Sequence, residues 1–229
     1  MKKSTFILTA VLLFAAASVM AQYTCGTSVK DYDGNTYKTV QIGSQCWMAE
    51  NLRTMHFPDG TTISRGSSLD YNSPWRFYPD NNMKNVEEYG MLYNWPAAMK
   101  ACPRGWHLPN DAEWNQLTKT AGDKYGCNGE VDDNAKALAA TKKWKNSNNA
   151  CQVGWRQSTN NATGFSALPA GDYNKNGYSG FGETTCFWTA TAMGSDAAVC
   201  RYLSYDNPIM LRISNGGKGR GFSVRCLRD

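Results

Sequence analysis

The stretch DYNKNGYSGFGE, Asp172 to Glu183, has the residue types and spacing of a calcium loop. Asp172, Asn174, Asn176, Gly177 and Glu183 fill the places that an acid-Asx-Asx-Gly-Glu template reserves for ligands and for the sharp turn. Carboxylate and amide oxygens are what a hard cation takes. Two features weigh against the ion: only Asp172 and Glu183 are charged, and the flanks read as strands where a calcium hand has helices. The competing reading is an Asn- and Gly-rich surface loop. Calcium is thus the one cofactor that the sequence suggests.

A second chemistry is sugar recognition. Sugar rings present apolar faces edged with hydroxyls, so flat aromatics beside amide and guanidinium groups can hold them. Tyr173, Tyr178, Trp188, Tyr202 and Tyr205 supply rings late in the chain, and Asn207, Arg212 and Asn215 supply polar partners. For Trp188, inside CFWTATA, burial in the core competes with ligand contact. Catalysis finds less support. The histidines are His56 and His107, with no nucleophile elbow or phosphate loop around them. Asp132 and Asp133 stand where a helix begins, which is where acids are expected anyway. The expectation is a binding protein and not an enzyme.

These residues need a frame. DYDGNTYKTVQIGSQCWM reads as a hairpin: a turn at Asp33-Gly34-Asn35, then Tyr37, Val40 and Ile42 as strand formers, then an apolar plug at Trp47 and Met48. Residues 57–85 are rich in Pro, Gly, Ser, Asn and Asp, and Tyr71, Trp75, Phe77 and Tyr78 within them would staple this excursion to the body. Gly90 to Trp95 reads as a strand, with a short helix after it. In HLPNDAEWNQL, Asn110 is an N-cap, Glu113 completes a capping box, and Trp114, Leu117 and Ala121 share one helical face before Gly122. A second helix is predicted from Asp133 to about Trp144. From Phe165 onward the chain reads as short strands and glycine turns. Helices in the middle and antiparallel strands at the end make an α+β domain.

Met1-Lys2-Lys3, an apolar run to Ala17 and small residues up to Ala21 read as a signal peptide, residues 1–21, leaving 22–229 as one domain. Gln22 follows the expected cut, so no lipid-bearing cysteine is generated. Loss of two lysines takes the net charge from +5 to +3, and no basic stripe remains, which argues against nucleic acid. Eight cysteines in an exported chain argue for disulfides; zinc would want closer pairs, and no two here are nearer than 14 positions.

DGNTYKTVQIGSQCWMAENL, YGMLYNWPAAMKACPRGWHLPNDAEWNQL, GFSALPAG and GFSVRCLRD closely resemble the Fibrobacter succinogenes major paralogous domain family. HLPNDAEW is also similar to the helix entry of formylglycine-generating enzymes, which share a fold type with C-type lectins. The resemblance implies a disulfide-stabilised, C-type-lectin-like α+β fold with two or three short helices and antiparallel sheets, in which the terminal parts meet. It implies little about activity. Such folds bring the first helix and last strand together, so Cys102 pairs with Cys226. Cys186 and Cys200 lie on successive strands of a hairpin, Cys127 and Cys151 bracket the second helix, and Cys25 is left with Cys46. Formylglycine-type chemistry uses two free cysteines that bind copper, so the expected Cys186–Cys200 bond speaks against it. The reading is an exported binding module for a glycan or a protein at the cell surface or beyond. The alternatives are a structural or adhesin subunit of a surface appendage, or an oxidase-like enzyme.

Overall fold

The computed structural model describes residues 24–229; the expected signal segment, 1–21, lies outside the described residues. Strands β1 (Ser28–Lys30), β2 (Thr36–Ile42) and β3 (Gln45–Met48) form the expected N-terminal hairpin with one extra strand. Tyr37 and Thr39 of β2 face inward while Thr36 and Lys38 face water, the period-two pattern of a half-covered strand; Val40 and Ile42, on the opposite face, pack against a second core cluster. All four residues of β3 are buried. The excursion that follows folds back on the body through β4 (Ser64–Arg65) and β5 (Trp75–Phe77), with Phe77 fully buried.

Helix α1 (Val86–Tyr89) leads into β6 (Leu92–Tyr93), α2 (Trp95–Ala101) and β7 (Trp106–His107). The strand predicted over 90–95 is shorter because the Asn94 side chain accepts from the Ala97 N–H and starts α2 there, with Pro96 in its first turn. Helix α3 (Asp111–Tyr125) carries both arms of the predicted capping box: Asn110 accepts from the Glu113 N–H, and Glu113 accepts from the Asn110 N–H. Its face of Trp114, Leu117 and Ala121 is buried. The helix predicted over 133–144 shrinks to α4 (Ala135–Leu138). Ala139 is extended, paired with Ala167, and the Ala140 N–H donates to the Ala167 carbonyl. Pairing with a distant segment overrides the helix propensity of an alanine run.

The C-terminal half is β8 (Ala170–Asn174), β9 (Gly177–Phe181), β10 (Thr184–Met193), β11 (Ala197–Ser204), β12 (Leu211–Gly217) and β13 (Leu227–Arg228). One sheet has the order β1-β2-β3-β13-β7, so β3 lies between two neighbours and the N-terminal hairpin meets the last strand. A second has the order β12-β11-β10-β8-β9, antiparallel except where β8 runs parallel to β10. A small third sheet has the order β4-β5-β6. Trp47 packs against Trp114 with ring centres 4.8 Å apart, and Phe165 and Phe187 complete that aromatic layer. The plug at Trp47 and Met48 is therefore architecture. The architecture is a mixed α+β fold with short helices and disulfides.

Cys25–Cys46, Cys102–Cys226 and Cys127–Cys151 are bonded. The expected Cys186–Cys200 bond is not formed, and both are buried thiols. Register is the reason. Cys186 stands opposite Tyr202 and Cys200 opposite Trp188, so the two cysteines are diagonal neighbours. Diagonal positions lie roughly 7–8 Å apart, beyond the usual separation of bonded cysteines of about 5.5–6 Å.

Candidate functional site

The DYNKNGYSGFGE stretch forms the hairpin of β8 and β9. Lys175 and Asn176 make its turn, and Gly177 follows at φ +90°, a backbone that a side chain rarely adopts. Asn174 holds the turn by accepting from the Asn176 N–H at 2.8 Å. Its amide donates to Asp172 Oδ1 at 2.5 Å and to Ser179 Oγ at 2.7 Å. Asp172 also receives Arg220 at 3.4 Å, while Glu183, beyond the end of β9, receives the Lys145 ammonium at 3.0 Å. The calcium-loop residues are thus spread along a hairpin, each carboxylate with its own cation. A bound calcium at these side chains would have to break both ion pairs.

Successive strand residues face opposite ways, so Tyr173 leaves Asp172 behind and pairs across the hairpin with Tyr178. Their ring centres are 4.9 Å apart and tilted by 55°. Beneath them Phe77 stacks on Tyr173 at 4.3 Å and 20°. Together the two tyrosines wall an open surface cavity of about 350 Å³, lined on its other sides by Arg65, Gly66, Ser67 and Asn81. A Cβ on Gly66 would lie 2.6 Å from the Phe77 ring, so only glycine lets the chain pass this close.

The polar wall is held in place by its own contacts. Arg65 donates to Asn81 Oδ1 at 2.9 Å and lies over the Tyr78 ring, 4.8 Å from its centre. Arg76 reaches the same ring and donates to the Tyr78 hydroxyl at 3.0 Å. Asp80 and Asn81 both adopt left-handed backbone, at φ 52° and 53°. Two such non-glycine residues in a row carry strain, which tends to collect where a surface is shaped for a ligand. Burial raises the Tyr178 phenol above its ordinary value, and the nearby Arg65 guanidinium opposes that rise. A phenol kept protonated offers a donor to a ligand oxygen.

The other residues expected at a ligand face do not join this cavity. Trp188 is fully buried, its indole donating to the Tyr93 carbonyl at 2.7 Å and its ring packed on Phe222 at 4.4 Å; it is core. Tyr202 lines a separate cavity of about 250 Å³ with Cys186, Cys200, Leu211 and Ile213. Tyr205 lies under the Lys145 ammonium at 4.9 Å. Asn207 serves the turn after β11 by accepting from the Ile209 N–H at 2.9 Å. Arg212 is paired with Asp111 at 2.7 Å, and Asn215 is exposed on β12. β12 is the edge strand farthest from the β8–β9 hairpin, separated from β8 by β11 and β10.

Sequence reasoning missed Arg65, Ser67 and Asn81. The available signal was the aromatic run Trp75, Phe77 and Tyr78: a buried Phe77 had to meet some partner ring, and it is Tyr173. Larger clefts of about 590 and 610 Å³ exist, but they are lined by aliphatic, amide and charged groups and no aromatic ring.

Among the described residues no helix is long and apolar enough to cross a membrane. No curated protein and no solved structure was found to match the chain. The family model of the Fibrobacter succinogenes major domain matches residues 40–228, and the chain belongs to that family.

Proposed function

We propose that the protein is an exported binding module, a C-type-lectin-like domain whose ligand is a glycan. The observation that carries this is the cavity of about 350 Å³ in which Tyr173 and Tyr178 face Arg65, Ser67 and Asn81. Tilted rings match the apolar face of a pyranose, while guanidinium, hydroxyl and amide groups match its hydroxyls. Three disulfides suit an oxidising compartment outside the cytoplasm, and the meeting of the N-terminal hairpin and the last strand in one sheet suits the lectin-like fold.

The test is a glycan array probed with wild type and with Tyr178→Ala. Tyr178 is the better target because Tyr173 stacks on buried Phe77, so its loss would also cost stability. Binding to a defined glycan that disappears in Tyr178→Ala supports the reading. Absence of any array signal, with self-assembly into polymers instead, would favour the appendage-subunit alternative.

One observation favours a second reading. The thiols of Cys186 and Cys200 sit side by side at a cavity of about 250 Å³, as an oxidase-like enzyme of the formylglycine-generating type requires. Against it, burial and the neighbouring Cys200 thiol push the Cys186 thiol well above its ordinary value, and a reactive cysteine needs the opposite. Rapid alkylation of the native protein by iodoacetamide at neutral pH would favour the enzyme.

A further inference from the structure

Several arginines of this molecule meet a carboxylate, and Arg65 does not. Arg53 meets Glu87, Arg201 and Arg212 share Asp111, and Arg220 meets Asp172. Among the described residues no carboxylate lies within ion-pair distance of Arg65 or of Arg76, its companion at the Tyr78 ring. Asp80, the acid carried by the neighbouring turn, is exposed and pairs with neither. Arg65 thus lines the tyrosine-walled cavity without a counter-charge, while Arg76 behind it donates to the Ile63 carbonyl and the Tyr78 hydroxyl.

Arg65 spends one N–H on Asn81, and the Tyr78 ring fixes the plane of its fork. Its guanidinium also lies beside the Tyr178 phenol, so an anion seated at that ring meets the fork that a guanidinium offers through two parallel hydrogen bonds. Because Asn81 and Tyr78 already hold the side chain, binding orders little that was free.

We infer that the glycan bound here is acidic, with a carboxylate or sulfate on a pyranose ring seated against Tyr173 and Tyr178 and received by Arg65. This rests on the glycan reading above. A uronic acid and a sulfated sugar share this chemistry, and the probes below separate them.

Calorimetric titration would compare oligogalacturonides with the same oligomers carboxyl-reduced to neutral sugars, and sulfated galactan oligomers with their desulfated forms. Wild type should bind at least one acidic form about tenfold or more tighter than its neutral partner, as charge-assisted bidentate contacts do. Arg65→Gln should erase that preference, and raised salt should weaken it. The arm that shows the preference identifies the anion. If wild type holds neutral and acidic forms equally while Tyr178→Ala loses both, the inference is overturned and the glycan reading stands. A preference that survives Arg65→Gln also overturns it. If no oligomer of either kind binds while the array gives a glycan that Tyr178→Ala loses, the inference is overturned and the glycan reading stands; if Tyr178→Ala binds them all like wild type, both fall.

Discussion

Removing the Cys102–Cys226 bond, by Cys102→Ala with Cys226→Ala, should be the most damaging of the three disulfide deletions. It ties the end of α2 to the segment entering β13, across a sequence separation of 124 residues. In the chain-entropy account a loop of that size destabilises the unfolded chain by about 4.9 kcal/mol at 25 °C. The Cys127–Cys151 loop of 24 residues is nested inside it and shortens the path. Because the dependence is logarithmic, an effective loop of about 100 residues still gives about 4.7 kcal/mol. The separations of 24 and 21 residues for the other two bonds give about 3.5 and 3.3 kcal/mol. Cys226 is fully buried, so the sulfur lost there leaves a void that adds to the cost. For a chain of this size about 4.7 kcal/mol corresponds to a fall in Tm of roughly 10–20 °C. Thermal melting of the three double variants without reductant gives the order, and thiol counting in denaturant should find two thiols in wild type, Cys186 and Cys200. A Cys102/Cys226 variant that melts within a few degrees of wild type, or above the Cys25/Cys46 variant, would refute this reasoning.

Burial alone would lower the His107 pKa, but hydrogen bonds to Asp229 at 2.6 Å and Glu113 at 3.0 Å outweigh it and raise the value above 6.5. The folded value is the higher one, so this contribution is complete below the unfolded value and fades as pH rises through the folded one. Melting temperature should therefore decline from about pH 6.5 upward in wild type and less steeply in His107→Gln; equal slopes would contradict it. Arg225, fully buried and held down to about 9 by that burial, donates to Asn51 and to the carbonyls of Met48, Phe165 and Ser166. Arg225→Met strands those acceptors and should cost roughly 3–5 kcal/mol in urea unfolding; a loss under about 1 kcal/mol would show that they find other donors. Since Arg220 and Lys145 already occupy Asp172 and Glu183, calcium and EDTA should leave the melting curve unchanged. A calcium-dependent rise that Glu183→Gln abolishes would reinstate the ion.

What the sequence showed depended on how local the cause was. The α3 start was legible because cap, acid and apolar face all lie within a dozen residues, and each follows from helix geometry. The buried β3 was legible because both of its faces read as apolar. The helix over 133–144 failed since its fate depends on Ala167, far along the chain. The Cys186–Cys200 bond failed on register, which strand patterns alone do not fix to the residue. The candidate site was half legible. Tyr173 and Tyr178 stood out as rings beside a glycine turn, but Arg65, Ser67 and Asn81 come from an excursion whose docking only the Phe77–Tyr173 stack reveals. Rings on neighbouring strands, Trp188 and Tyr202, looked equivalent in composition, yet register turns both to the face opposite Tyr173, Trp188 fully buried and Tyr202 half-buried.

The most direct test sets the cavity against the edge strand. Dissociation constants for a glycan selected on the array should be measured for wild type, Tyr178→Ala and Asn215→Ala, the last lying on β12 away from the cavity. Tyr178→Ala should weaken binding by about tenfold or more, the scale of one lost ring contact, while Asn215→Ala should bind like wild type. Binding that survives Tyr178→Ala and is lost in Asn215→Ala would place the ligand on the other side of the sheet and contradict the account.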